Sequence, residues 1–186
     1  MLVARDAAIQ LAYHLPMLNR STVLLFIAVL IGCTPTRDDT ESVVVNRVRE
    51  YHGAAGPWAV AGYRIGERAI KERNLPRQSF SLAVVHYSPA EVQYSCVADG
   101  VQAATGASLG KLNLRIVDAP FADLKTIVED RKTGRTLTFK LQPKFMDSIL
   151  NVPADKLESA GERVANLPDD EIFTFEETKS ATNAEK

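Results

Sequence analysis

Residues 111–141 read KLNLRIVDAPFADLKTIVEDRKTGRTLTFKL. From Lys111 to Asp118 the residues alternate, with Leu112, Leu114 and Ile116 on one face and Lys111, Asn113 and Arg115 on the other. A period of two marks a half-buried strand. Residues 122–130 and 135–141 read as two more strands. Lys132-Thr133-Gly134 joins them as a hairpin turn, with glycine where the backbone must be permissive.

Working upstream, Ser79 to Tyr87 (SFSLAVVHY) is a strand rich in β-branched and aromatic residues. Cys96 to Ala104 reads as a helix ended by Thr105-Gly106, with Gly106 as a left-handed terminator. Pro57 to Asn74 carries Val60, Tyr63, Ile65, Ala69 and Ile70 at roughly helical spacing. Pro57 suits the first turn, and Lys71 and Arg73 suit the last. Gly62 and Gly66 lie on one face of that helix. Each costs about 1 kcal/mol against alanine there, which makes sense if another backbone packs closely. Val43 to Tyr51 is read as a further helix. Downstream, a helix spans Asp155 to Asn166 between Pro153 and Leu167-Pro168, and Ile172 to Phe175 is a final strand. Residues 177–186 read as a flexible tail. Hairpins with helices packed between them predict one α+β domain over residues 43–176, built on a mainly antiparallel sheet.

The chain has 186 residues, 24% of them charged, and a formal net charge of −1. Without a basic excess there is little to neutralise phosphates, so no nucleic-acid partner is expected. Residues 21–32 hold an apolar run of about ten residues, half of what a spanning helix needs but the length of a secretory core. Arg20 precedes the run, and Leu30-Ile31-Gly32-Cys33 follows it. This quartet resembles the bacterial lipobox. It implies cleavage before Cys33, lipidation of its thiol by acyl chains, and a membrane-anchored envelope protein. Residues 34–42 have a tether's composition. Met17-Leu18-Asn19-Arg20 makes a natural start, so Met17 is the expected first residue of the true leader.

Three groups attract chemical interest. His52-Gly53 precedes the turn at Gly56-Pro57. Cys96 stands at an expected helix start, where the helix N-terminus favours a thiolate, with Asp99 one turn on and Gln102 beyond it. Gly106 to Asn113 (GASLGKLN) forms a loop entering a strand. GASLGK lacks the spacing and the Lys-Ser/Thr ending of a phosphate loop.

Taken together, His52-Gly53-Ala54-Ala55-Gly56-Pro57, Gly62-Tyr63-Arg64, the block from Cys96 to Gly106 with Asp99 and Gln102, and Gly110-Lys111-Leu112-Asn113-Leu114 resemble the E-subunit family of formylmethanofuran dehydrogenase. The likeness runs from about Tyr51 to Phe175. It implies that His52 and Cys96 are the core metal or redox groups, with zinc as the expected ion. It also places Asp99, Gln102, Lys111 and Asn113 around a ligand cleft. The departures are informative. The family's second histidine falls on Ala54, its cysteine before proline on Gly56, and the glycine after proline on Trp58. The C-terminal zinc finger of many members has no counterpart, since no cysteine follows Cys96.

Three functions remain open from the sequence. The domain binds a metal ion or small molecule in a cleft, or it is a scaffold that has lost its chemistry, or it is an enzyme with Cys96 as nucleophile or ligand and His52 as base. His86, closing a strand, is a further candidate ligand with a structural role as its plainer explanation. The pairing of Cys96 and His52 requires that the fold bring two groups 44 positions apart into contact.

Overall fold

The structure, a computed structural model, describes residues 37–179, with side chains from Val43 onward. The leader, Met17 and Cys33 lie outside the described residues. In order, the elements are α1 (Arg37–His52), α2 (Pro57–Arg73), β1 (Leu82–Ser88), α3 (Val92–Thr105), β2 (Leu114–Asp118), β3 (Lys125–Asp130), β4 (Arg135–Leu141), α4 (Pro143–Ile149), α5 (Leu157–Asn166), α6 (Asp169–Ile172) and β5 (Phe173–Lys179). Short 3-10 turns occur at Leu109–Lys111, Phe121–Asp123 and Ala154–Lys156.

The strands form one five-stranded mixed sheet in the order β2-β1-β3-β4-β5. Three of its neighbour pairs are antiparallel, but β1 and β2 run parallel. The parallel pair follows from the helix between them, because α3 carries the chain back to the end from which β1 began. The fold is therefore α+β, as the sequence implies, with a mixed sheet.

One sheet face makes the core. Val84 pairs with Val128 and Val128 with Leu137, and all three are at most 1% exposed. Phe139 lies beside Phe173 and Phe175, with ring centroids 5.4 and 5.3 Å apart. Each such side chain contributes about 1.5–3 kcal/mol by leaving water. At the β3–β4 hairpin, Gly134 takes φ 67°, and Asp130 accepts from the Lys132 main-chain N–H and the Thr133 hydroxyl.

The helices pack by backbone approach. A Cβ placed on Gly62 would stand 2.0 Å from the Val97 carbonyl oxygen, and one on Gly100 would stand 1.8 Å from that of Ala59. The close neighbour of Gly62 and Gly66 is thus α3. Gly161 brings α5 equally close to the Ala55 carbonyl, at 1.8 Å. Arg64 donates to the Ala165 carbonyl at the end of α5 and pairs with Asp169. Among the described residues, no helix is long and apolar enough to cross a membrane.

Several boundaries differ from the sequence expectation. α3 begins at Val92, after the extended residue Glu91, so Cys96 sits one turn inside the helix and away from its N-terminal N–H groups. β2 begins only at Leu114. Lys111 belongs to a 3-10 turn, and Leu112 takes φ 53° and is 85% exposed. The alternation before Leu114 arises in this turn, and Ile116 stays exposed because β2 is an edge strand. β1 begins at Leu82 and β3 at Lys125. β5 runs to Lys179, taking in three residues read as tail. The helix α4 carried no clear periodicity in so short a span.

Candidate functional site

His52 is the last residue of α1. Gly53 follows at φ 86°, and its N–H closes the helix on the Arg49 carbonyl at 2.9 Å. Glycine takes this left-handed conformation without steric cost. The chain then turns through Ala54 to Gly56 into α2, whose first residue is Pro57. The turn leaves the His52 ring facing α3, with the side chain 22% exposed.

On α3, the glycine side carrying Gly100 presses on α2, and the adjacent side presents Cys96 and Asp99 to His52. His52 Nδ1 lies 2.8 Å from Asp99 Oδ2. The Cys96 thiol lies near enough to favour the charged ring, and it donates to the Val92 carbonyl at 3.0 Å. The fold thus brings His52 and Cys96 to one cleft, with Asp99 as the ring's hydrogen-bond partner. The hydrogen bond to Asp99 pushes the His52 pKa up to about 10, helped by Cys96 and opposed by burial. Near neutral pH His52 accordingly holds its proton, which a metal ion bound at Nε2 would have to displace.

A cleft of about 500 Å³ opens beside these groups. His52 and Cys96 line it, as do Ala54 and Gly56. His52 and Cys96, and the two positions where the resemblance places a further histidine and cysteine, therefore border one space. Trp58, 5% exposed, walls it and meets Tyr94 edge-on at 5.2 Å. Val92 and Leu157 complete its apolar lining. Neither stood out in the sequence, Val92 because the helix start lay hidden and Leu157 because α5 arrives from far along the chain.

Gln102 and Lys111 line a different cleft, with Tyr51, Gln78, Phe80 and Ser108. Asn113 lines neither. It is 2% exposed, and its amide donates to the Leu82 carbonyl and accepts from the Ser108 N–H, bracing the loop. His86 is fully buried between the Thr126 hydroxyl and the Tyr94 carbonyl, at 2.9 and 3.1 Å. Burial lowers its pKa to about 4, so it is neutral and structural.

The chemistry available at the first cleft is that of an imidazole, a thiol and a carboxylate. Among the described residues, no group of three or more His, Cys, Asp or Glu side chains is arranged to hold a metal ion. The donors fit a more open arrangement. Asp99 engages Nδ1 and leaves Nε2 for another partner, the way a carboxylate orients a metal-ligating histidine. Nitrogen and sulfur together suit zinc, but two protein donors leave its other positions to outside ligands.

Residues 51–174 match the family described as FmdE, Molybdenum formylmethanofuran dehydrogenase operon. A similar solved structure is a tungsten formylmethanofuran dehydrogenase FmdE-like protein from Syntrophus aciditrophicus, with 17% identity and a TM-score of 0.52. The alignment covers 76% of this chain and 73% of that one. At that identity the likeness establishes shared fold. No curated protein matches.

Proposed function

Since the chain belongs to the FmdE family, we propose that its domain is a binding module that takes a metal ion, zinc first, between His52 and Cys96, with Asp99 orienting the imidazole. One observation carries this reading. Ala54 and Gly56, which stand where the family resemblance places a histidine and a cysteine, border the same cleft as His52 and Cys96. Two donors are kept and two are replaced by small residues, which leaves room for a small ligand to complete the coordination. When bound, zinc supplies a Lewis-acidic anchor for such a ligand. The chain's own residues orient the ring, supply the thiol and wall off water with Trp58.

The domain is proposed to be presented from a bacterial membrane by lipidated Cys33. Supporting this are the apolar run before Gly32 and the lipobox-like quartet. Intact mass of the membrane-extracted protein should begin at Cys33 and include acyl chains. A mass that retains the leader and carries no lipid would remove the anchor.

Detergent-extracted full-length protein should take up about one equivalent of Zn²⁺, by elemental analysis after dialysis, as a site with nitrogen and sulfur donors does. His52→Ala and Cys96→Ala should each abolish uptake. If uptake is absent, the degenerate scaffold becomes the better description. The shared cleft of His52 and Cys96 favours one competing reading, a thiol-dependent enzyme. Its mark would be alkylation of Cys96 by iodoacetamide that slows sharply in His52→Ala.

A further inference from the structure

We infer that the cleft lined by Gln102 and Lys111 is a separate site for a small organic anion with a flat apolar body, of the aromatic carboxylate class. It goes beyond the reading given for His52 and Cys96, and it lies further along α3, towards the helix end. Cys96 borders the first cleft; Gln102, and Gly106 just past the helix end, border the second. The volume is about 350 Å³, within the range of small-molecule sites.

Charge identifies the class. Lys111 is the charged side chain among the residues lining this cleft. Its ammonium donates to the main-chain carbonyls of Gly106 at 2.6 Å and Gln78 at 3.4 Å. Among the described residues, no carboxylate lies within ion-pair distance of it. A positive charge held by two carbonyl dipoles, with one N–H remaining, is fitted to a single negative group. The polar groups around it, the Gln78 and Gln102 amides and the Tyr51 hydroxyl, are neutral and make no hydrogen bond with another described residue. Polar groups lining one hollow are what orient a ligand.

The apolar body is read from the aromatics. Phe80 is 72% exposed and Tyr51 is 49% exposed, and both line the cleft. The Lys111 ammonium stands 5.3 Å from the Phe80 ring centroid. A large ring left in water contributes nothing to the core, but beside a cation it offers a stacking face. The turn that carries it is fixed in place. Gln78 takes φ 64° and its N–H is bound to the Thr105 carbonyl at 2.7 Å. A Cβ on Gly106 would stand 2.6 Å from Gln78 Cγ, so glycine there lets the turn seat against the end of α3.

The test is a titration of the ¹⁵N-labelled full-length protein with sodium benzoate, benzamide and inorganic phosphate, followed by amide chemical shifts. Benzoate should shift the amides of Gln78, Phe80, Gln102, Ser108 and Lys111 saturably. Benzamide and phosphate should leave them in place, because the first lacks the charge and the second the ring. Lys111→Met should weaken benzoate by about tenfold or more, while Lys111→Arg retains binding. Phe80→Ala should weaken it too. That side chain is largely in solvent, so this variant remains informative if Lys111→Met does not fold. The inference is overturned if benzoate gives no saturable shifts at these amides, if Lys111→Met or Phe80→Ala binds as well as the parent, or if phosphate competes.

Discussion

His52 Nδ1 and Asp99 Oδ2 stand 2.8 Å apart, joining the last residue of α1 to the middle of α3 across 47 positions of sequence. The pair ties the end of one helix to the flank of the other, and it decides the protonation of the imidazole that faces the first cleft.

This pair should leave a signature on the alkaline side. Below the ordinary histidine value of 6.5, His52 is protonated in the folded and unfolded chain alike, and the pair's contribution is complete. As pH rises through about 10 the folded chain loses the proton and the contribution is gone. Asp99→Asn should return the His52 pKa towards 6.5, seen in the imidazole C–H resonances, and should remove the part of the alkaline loss of stability that lies between those values. An unchanged titration would show that Asp99 does not hold the proton.

His86 should act on the acid side. The unfolded chain takes up its proton below 6.5, whereas the folded chain resists until about 4. Stability should therefore fall as pH drops through that interval, because the unfolded state binds the extra proton. His86→Gln keeps a donor for the Tyr94 carbonyl and loses the titration. It should be less stable by about 1–3 kcal/mol at neutral pH, with a flatter profile between those two values in urea denaturation.

Glycines at helix crossings should divide sharply from a glycine in open space. Gly100→Ala and Gly62→Ala force a methyl into the carbonyls of Ala59 and Val97, at 1.8 and 2.0 Å. Each should cost about 3 kcal/mol or more, since backbone cannot swing aside as a side chain does. Gly110→Ala meets nothing within 4 Å and should change the urea midpoint little.

The last strand is tied down by a charge cluster. Glu177 on β5 accepts from Arg73 on α2, whose side chain is 1% exposed, and from Arg135 on β4. These two guanidinium groups hold the Glu177 pKa down to about 2, Arg73 foremost. The stability it lends is present above the ordinary 4.5 and lost as pH falls through about 2. Glu177→Gln should leave Arg73 without its carboxylate and raise amide exchange over Phe175 to Lys179 first, as a local opening. Exchange that rises uniformly across the sheet would argue against this tie.

Local chemistry sufficed for much of this architecture. The hairpin at Lys132 to Gly134, the left-handed stop at Gly106 and the span of α2 each depend on residues within a few positions of one another, so they are readable from spacing and residue type. The paired glycines of α2 announced that a backbone would come close, but could not say which one. That partner, α3, was decided by packing. So were the start of α3 at Val92, the burial of Asn113, and the separation of Gln102 and Lys111 from His52 and Cys96 into two clefts. Helix ends and groove positions depend on contacts between segments far apart in the chain, and a linear pattern contains no distance between them. The meeting of His52, Cys96 and Asp99 is of this second kind: composition supplied the groups, and only the packing of α1 against α3 set them side by side.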